Sequence, residues 1–160
     1  ALKELNPDQI EFLKENGFVQ ARLCGLEAYS QWFLVKKPES KESIEHYFMV
    51  HAIADELRKY APNVVTYSSI GPDIVFNTPA PPDGGVCWNA IEVEIGTHLK
   101  TREALEQKVQ QNNLKEKPRL KKWFFVVTDK KIKADFEKLH ETITRTEVRA
   151  KIGEIFKGNL

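Results

Sequence analysis

The sequence lacks the long apolar run that a membrane span requires, since no hydrophobic stretch approaches about 18 residues. It also lacks a basic-then-apolar signal pattern at its N-terminus. Its cysteines, Cys24 and Cys87, lie far apart without a CxxC pair, which argues against a structural zinc site and a disulfide framework. One full domain in the reducing cytoplasm, without membrane association, is therefore expected.

Familiar catalytic signatures are absent as well, including a Ser-His-Asp or Cys-His arrangement, a Walker A loop and GxGxxG. The chain carries no large excess of one charge, because 24 basic and 23 acidic side chains leave a net charge of +1. A hydrophobic fraction of 41% over 160 residues is typical of one ordinary folded domain. No small-molecule cofactor is expected from these features.

Positive charge is instead concentrated late in the chain. The basic residues of this region are Lys115, Lys117, Arg119, Lys121 and Lys122, followed closely by Lys130, Lys131 and Lys133. One interpretation is a solvated helix end and loop. The other is a rim that contacts the phosphates of DNA locally, although the total charge is near zero.

Residues 1–38 are predicted to form a small appendage. Asn6 is typical of a helix cap and Gly17 of a helix end, and two short strands are predicted at 18–23 and 31–36. This helix and hairpin are either the remnant of a winged-helix module or a cap over one edge of the main sheet.

Residues 39–160 are predicted to form the main α/β domain. An amphipathic helix precedes three strands with short connections, a crossover helix and a further strand. The predicted bounds are helix 43–60, strands 64–67, 73–76 and 88–95, helix 101–112, strand 123–128 and helical segments 131–140 and 145–156. This αβββαβ order predicts a mixed four-stranded sheet with helices on both sides.

Two glutamates alternate with apolar residues in the third predicted strand, Ile91-Glu92-Val93-Glu94-Ile95. Because side chains alternate faces along a strand, Glu92 and Glu94 are expected to point to the same face. One interpretation is a half-exposed strand with a polar outer face. If the sheet is covered on both sides, however, the two carboxylates repel each other and need a compensating positive charge.

Asp73 supplies a third carboxylate, since it follows Gly71-Pro72 and opens a strand expected to pair with the glutamate strand. Three converging oxygen donors suit Mg²⁺ or Mn²⁺, and Asp73, Glu92 and Glu94 are the predicted ligands. Such an ion polarises phosphoryl oxygens and lowers the pKa of a bound water, which is the chemistry of phosphodiester hydrolysis. The pattern therefore predicts a catalytic acidic corner.

The Gly71-Pro72-Asp73-Ile74-Val75 segment, followed by Ile91-Glu92-Val93-Glu94, resembles the PD-(D/E)XK motif of a large nuclease superfamily. The resemblance covers about residues 43–128 and implies a restriction-endonuclease-like αβββαβ core. The closest likeness is to archaeal Holliday-junction resolvases, whose first helix carries a glutamate near its start, and Glu45 takes that place. Since resolvases and restriction enzymes cut two strands as dimers, the resemblance implies DNA as a partner and a homodimer.

The last motif position departs from the family, because Glu94 stands where a lysine is usual. Some restriction enzymes of the superfamily carry glutamate there and still cut, and other members move the lysine elsewhere. Lys108, in the following helix, and Lys100, just after the strand, are candidates for that role, and Lys100 is also expected to contact DNA. Gln107 is a weaker candidate for a glutamine that some members carry.

The histidines carry less information than the acids. His46, in the first turn of the predicted helix, is interpreted as a bystander, and His51 as a packing residue. His98 is interesting because it follows the glutamate strand, whereas His140 has no acidic or nucleophilic partner in motif spacing.

The leading hypothesis is a Mg²⁺- or Mn²⁺-dependent DNA endonuclease, or the nuclease domain of a DNA-processing or mobile-element protein. In it Asp73, Glu92 and Glu94 hold the ion, Glu45 supports the site, and Lys108 or Lys100 assists. A second hypothesis is a catalytically inactive module of the same fold that binds DNA or a protein. A third makes residues 1–38 a winged helix that reads DNA sequence.

Overall fold

A mixed five-stranded sheet lies between helices that cover both of its faces. The computed structural model describes residues 1–38, 42–67, 71–78, 87–95, 102–113 and 120–157 of the chain. The elements are α1 (Pro7–Glu15), β1 (Phe18–Cys24), β2 (Ser30–Lys36), α2 (Ile44–Leu57), β3 (Val64–Thr66), β4 (Ile74–Thr78), β5 (Cys87–Glu94), α3 (Arg102–Asn113), β6 (Leu120–Val127), α4 (Lys130–Glu137), β7 (Thr142–Thr144) and α5 (Val148–Lys157). Among the residues so described, no helix is both long and apolar enough to cross a membrane.

The strand order of the main sheet is β3-β4-β5-β6-β7. β3, β4 and β5 are antiparallel neighbours, with Ile74 opposite Ile91, whereas β5, β6 and β7 run parallel. The start of β4 therefore lies at the same end of the sheet as the carboxyl ends of β5, β6 and β7. That end is where ligands bind in many open α/β sheets.

Helices cover both faces of this sheet. On one face, Val93 and Phe124 pack in a core that includes buried residues of α2 and α5, such as Ile53 and Ile152. The opposite face has its own core, in which Phe125 packs with residues that include Leu105 of α3 and Phe136 of α4. The predicted α/β class, with a mixed sheet between helices, is confirmed.

The predicted count of four strands is wrong, because β7 adds a fifth strand beside β6. Thr142-Ile143-Thr144 falls between the two helical segments predicted for this region, and three residues are too few to show strand alternation. The segment becomes a strand because it pairs with residues 125–127 of β6. α4 accordingly ends at Glu137, before the predicted end at residue 140.

The predicted helix and hairpin form at 1–38. Asn6 caps α1 by accepting a hydrogen bond from the Gln9 amide, and Gly17 follows the helix at a φ of 82°, which favours glycine. Among the described strands, β1 and β2 pair only with each other. The loop between them contacts the five-stranded sheet's core, since Leu26 is buried there with residues of α2. The winged-helix and edge-cap interpretations both stay predictions.

Arg145 joins this loop to the end of β7. Its guanidinium donates a hydrogen bond of 3.0 Å to the Gly25 carbonyl and another to the Glu27 carbonyl. Arg149 adds an ion pair of 2.6 Å to the Glu27 carboxylate. The hairpin loop is therefore held to the carboxyl end of β7 and to α5.

Glu147 closes the turn between β7 and α5. Its carboxylate accepts hydrogen bonds from the amide and the hydroxyl of Thr144, at 2.6 and 2.8 Å, and pairs with Lys133 at 3.1 Å. The Thr144 amide and hydroxyl, together with Lys133, outweigh partial burial and lower the pKa of Glu147 to about 2. Because the folded-state pKa is depressed, this contribution is complete above about pH 4.5 and is lost as the pH falls towards 2.

The Glu147→Gln variant is expected to lower the free energy of unfolding by about 1 kcal/mol at pH 7, the usual size of a lost cap. The difference should shrink below about pH 4.5, because the carboxyl of the unfolded chain is protonated there first and that of the folded protein only as the pH approaches 2. Urea unfolding at a series of pH values measures it. Glu154→Gln, at an exposed carboxylate paired only with Lys151 among the described residues, is the matched control and should change little. A Glu147→Gln effect that persists undiminished at low pH would contradict the prediction.

Candidate functional site

Three acidic side chains meet at the sheet end where β4 begins and β5 finishes. Asp73 directly precedes β4, and Glu92 and Glu94 lie near the end of β5 with their side chains on the same face of the sheet. Gly71, at a φ of 109°, supplies the left-handed backbone that leads into Pro72 and Asp73. Glu92 is 1% exposed and Glu94 5% exposed, so the half-exposed polar strand is excluded and the covered sheet is correct.

Lys108 of α3 supplies the compensating positive charge. Its Nζ lies 2.6 Å from Oε2 of Glu92 and 3.0 Å from Oε1 of Glu94. Helix α3 covers this face of the sheet, so the lysine side chain enters the site from above the two glutamates. Lys100, the other candidate, lies outside the described residues, and Gln107 is exposed on α3.

Asp73 is held from two directions. Its Oδ2 accepts a hydrogen bond of 2.7 Å from the Val93 amide and lies 3.4 Å from Nε2 of His46. Nδ1 of His46 in turn contacts the Glu42 carboxylate, which lies just before α2. His46 is therefore not the bystander that the sequence suggested, because packing of α2 against the sheet brings its first turn to the start of β4.

The charges of the cluster shift three pKa values. Burial lowers the pKa of Lys108, but the carboxylates of Glu92, Glu94 and Asp73 outweigh burial and hold that pKa above its usual range. Burial also lowers the pKa of His46, yet its hydrogen bonds and charge interactions with Asp73 and Glu42 raise it to about 9. For Asp73, burial raises the pKa, whereas His46, Lys108 and the Val93 amide together hold it below its usual value. At neutral pH the site thus contains two cationic side chains beside its acids.

The carboxylates fit a divalent ion in their chemistry, since hard oxygen donors are what Mg²⁺ and Mn²⁺ prefer. Nζ of Lys108 lies within 3.0 Å of both Glu92 and Glu94, so these two carboxylates already converge on one cation. Within the described ranges, however, no group of three or more His, Cys, Asp or Glu side chains is already arranged to hold a metal ion. A divalent ion held by Glu92 and Glu94 would take the place of the ammonium.

Glu45 lies apart from the acidic corner. Its side chain is exposed and has no hydrogen bond or ion pair with Asp73, Glu92 or Glu94 in the part of the chain described. It borders a cavity of about 560 Å³ at the carboxyl ends of the parallel strands. The other lining residues are Ala28, Ile95, Thr128, Asp129, Lys130, Arg145 and Thr146. The residue of this helical turn that reaches Asp73 is His46, one position further along.

The basic residues predicted to contact DNA do not form one described surface. Lys122 is exposed near the start of β6, whereas Lys130 and Lys131 are exposed at the start of α4, beyond the other end of that strand. Lys133 is engaged by Glu147 and Glu137. Lys121 lies on β6, and the remaining predicted DNA contacts lie outside the described residues: Lys100, Lys115, Lys117 and Arg119. Among those that the structure describes, Lys130 lines the cavity.

Two of the other histidines have structural contacts. His51 packs against Tyr47 on α2, with ring centroids 4.3 Å apart. His140 stacks on Trp123 at 3.8 Å and lies within hydrogen-bonding distance of the Trp123 carbonyl. His98 lies outside the described residues.

The site residue that the sequence interpretation missed is His46, together with its partner Glu42. The available signal was their four-residue spacing across a helix start, where opposite charges face each other. Nothing in the sequence pattern indicated that this pair would reach the strand carrying Asp73.

Searches against protein-family models, curated proteins and solved structures found no match to this chain. A functional assignment therefore has to come from the geometry and chemistry of the acidic corner.

Proposed function

We propose that this chain is a Mg²⁺- or Mn²⁺-dependent DNA endonuclease, or the nuclease domain of a larger DNA-processing protein. The observation that carries the proposal is the convergence of Glu92 and Glu94 on the Lys108 ammonium, with Asp73 beside them. Buried acids around one lysine at a strand end are the groups that metal-dependent phosphodiester hydrolysis uses.

The order of the elements supports the same proposal. α2, β3, β4, β5, α3 and β6 follow one another as in the αβββαβ core of the PD-(D/E)XK nucleases that the sequence resembles. Asp73 and Glu92 stand at the motif's acidic positions, and Lys108 is available for the role of the usual lysine, which Glu94 replaces. We therefore include a restriction-endonuclease-like fold in the proposal, with β7 as an added strand.

In this function a divalent ion, when bound, polarises the phosphate and acidifies a bound water. Asp73, Glu92 and Glu94 would hold the ion, and the Lys108 ammonium, once displaced from the glutamates, would remain within reach of a phosphate oxygen or the attacking water. Lys130 and Lys131 are exposed at the start of α4, at the same end of the sheet as the acids, and can contact neighbouring phosphates of a DNA strand. A homodimer, which would bring two such sites to two strands, stays part of the proposal.

Cleavage of DNA is the direct test. The protein is incubated in the presence of Mn²⁺ with one labelled DNA per reaction: a duplex, a four-way junction or a single strand. Product formation is followed on denaturing gels. We expect cleavage of at least one substrate, its loss on chelation of the ion, and its loss in Asp73→Asn. Metal-stimulated binding to all substrates without any cleavage would contradict the nuclease.

A catalytically inactive module of the same fold is the second candidate. The observation that favours it is the ion pairing itself, since Lys108 forms an ion pair with both Glu92 and Glu94 and occupies the place between them. Calorimetric titration distinguishes the two. The nuclease predicts saturable Mn²⁺ binding at millimolar concentrations or below, whereas the inactive module predicts none.

A further inference from the structure

The edge of β5 beyond the start of β4 is closed by two side chains. Ile74, the first residue of β4, pairs with Ile91, so Val93 lies past the end of that ladder. The N–H and C=O of one strand residue point to the same neighbouring strand, so both groups of Val93 need partners there. The amide donates to Oδ2 of Asp73 at 2.7 Å, and the carbonyl lies 3.1 Å from Nε2 of His46.

His46 is itself held in a single orientation. Val93's carbonyl oxygen and the Glu42 carboxylate can only accept hydrogen bonds, so both ring nitrogens of His46 donate. Glu42 and His46 are one helical turn apart, and their side chains are 15% and 22% exposed. A ring clamped at both nitrogens and mostly buried has little freedom to rotate.

Asp73 takes its orientation from these same contacts. One of its oxygens, Oδ2, is engaged by the Val93 amide and lies 3.4 Å from the His46 ring. The backbone holds one end of the Asp73 side chain and these contacts hold Oδ2 at the other end. Because the carboxylate is planar, the position of Oδ1 is then fixed as well. The Val93 amide that Asp73 accepts from lies between Glu92 and Glu94 in β5, and the charges of Asp73 and Lys108 interact.

We propose that His46, clamped by Glu42, is a positioning residue that fixes the Asp73 carboxylate for binding of the divalent ion. This inference rests on the proposed function, since Asp73 is a metal ligand only there. Residues that orient a ligand in this way typically change metal affinity by about 10- to 100-fold when they are removed. His46 acts through Asp73 and has no place among the ligands themselves.

The test compares wild type with His46→Ala, His46→Gln and Glu42→Ala, using His51→Ala as the matched control on the same helix. The first readout needs no metal: the amide proton shift and hydrogen exchange of Val93 by NMR. The second readout is the dissociation constant for Mn²⁺, measured calorimetrically well below the unfolding temperature of each variant.

We expect His46→Ala to move the Val93 amide resonance, to speed its exchange and to weaken Mn²⁺ binding by about 10-fold or more. His46→Gln keeps an N–H donor for the Val93 carbonyl and should recover part of both effects, which a purely packing role would not produce. Glu42→Ala should shift both readouts in the same direction by less, and His51→Ala should leave both unchanged.

Two outcomes overturn the inference: a Val93 amide that is unaffected by His46→Ala, or a Mn²⁺ affinity in that variant equal to wild type. A wild-type protein that binds no Mn²⁺, while its Val93 amide still depends on His46, is a different outcome. It supports the orientation of Asp73 by His46 and overturns the proposed metal-dependent function.

Discussion

Lys108→Met is expected to lower the free energy of unfolding by about 3 kcal/mol in the absence of divalent ions. The substitution removes the ammonium that lies 2.6 Å from Glu92 and 3.0 Å from Glu94 and leaves two buried carboxylates facing each other. Removal of one partner of a buried pair costs more than the pair contributes, because the remaining charge stays desolvated. Urea unfolding with and without chelator measures the loss.

Mn²⁺ should restore much of this loss in Lys108→Met if the acidic corner binds metal ions. A ligand that binds only the folded state stabilises by about 2.7 kcal/mol at about 100 times its dissociation constant. Wild type should gain less from the ion, because its ammonium competes for the same carboxylates. Lys138→Met, at an exposed lysine paired with Asp135, is the control and should be neutral with or without Mn²⁺. Equal stability of Lys108→Met and wild type would contradict the prediction that the ion pairs of Lys108 stabilise the folded state.

Glu92→Gln is expected to reduce DNA cleavage by about 10²-fold or more. The side chain keeps its shape but loses the charge that helps to hold a divalent ion, and loss of about 3 kcal/mol of such stabilisation corresponds to that factor. Single-turnover cleavage at saturating Mn²⁺ measures the effect on the chemical step, and calorimetry under the same conditions measures the effect on metal affinity.

Glu56→Gln is the matched control for this experiment. Glu56 is also a buried glutamate, at 7% exposure, and it pairs with Lys59 and Arg149 away from the acidic corner. Its substitution should lower stability without reducing the cleavage rate of the folded protein. If both variants lost cleavage in proportion to stability, the effect of Glu92→Gln would be one of folding and the catalytic assignment would fail.

Lys108→Met and Glu92→Gln also distinguish the two candidate functions, the nuclease and the inactive module. An inactive module predicts that Lys108→Met is destabilised and is not rescued by Mn²⁺, and that wild type cleaves no DNA. A nuclease predicts rescue of Lys108→Met by the ion and cleavage that depends on Glu92. The ion pair is common to both, so its presence alone does not decide between them.

Much of the fold was predictable from local patterns. The α2 helix, the order of β3, β4 and β5 and the apolar residues 123–127 of β6 follow from hydrophobic periodicity and from turn residues between the segments. β7 was missed because three residues carry no periodic signal, and its strand conformation depends on the backbone groups that β6 presents.

Within the site, the sequence by itself determined which acids would share a face. Strand alternation is a local property, so it puts Glu92 and Glu94 on the same side whatever the rest of the chain does. Pairing of the Asp73 strand with the glutamate strand was likewise predictable from the short connection between them. The need for a positive charge beside the glutamates followed from their repulsion.

Only the tertiary structure decided which side chains would meet these acids. Lys108 reaches them because α3 packs over that face of the sheet, and His46 reaches Asp73 because the first turn of α2 lies at the start of β4. Both contacts join residues that are distant in the chain, and their distances depend on how helices dock on the sheet. Hydrophobic periodicity predicts which face of a helix or strand is buried. It carries no information about which residue of another element packs against that face.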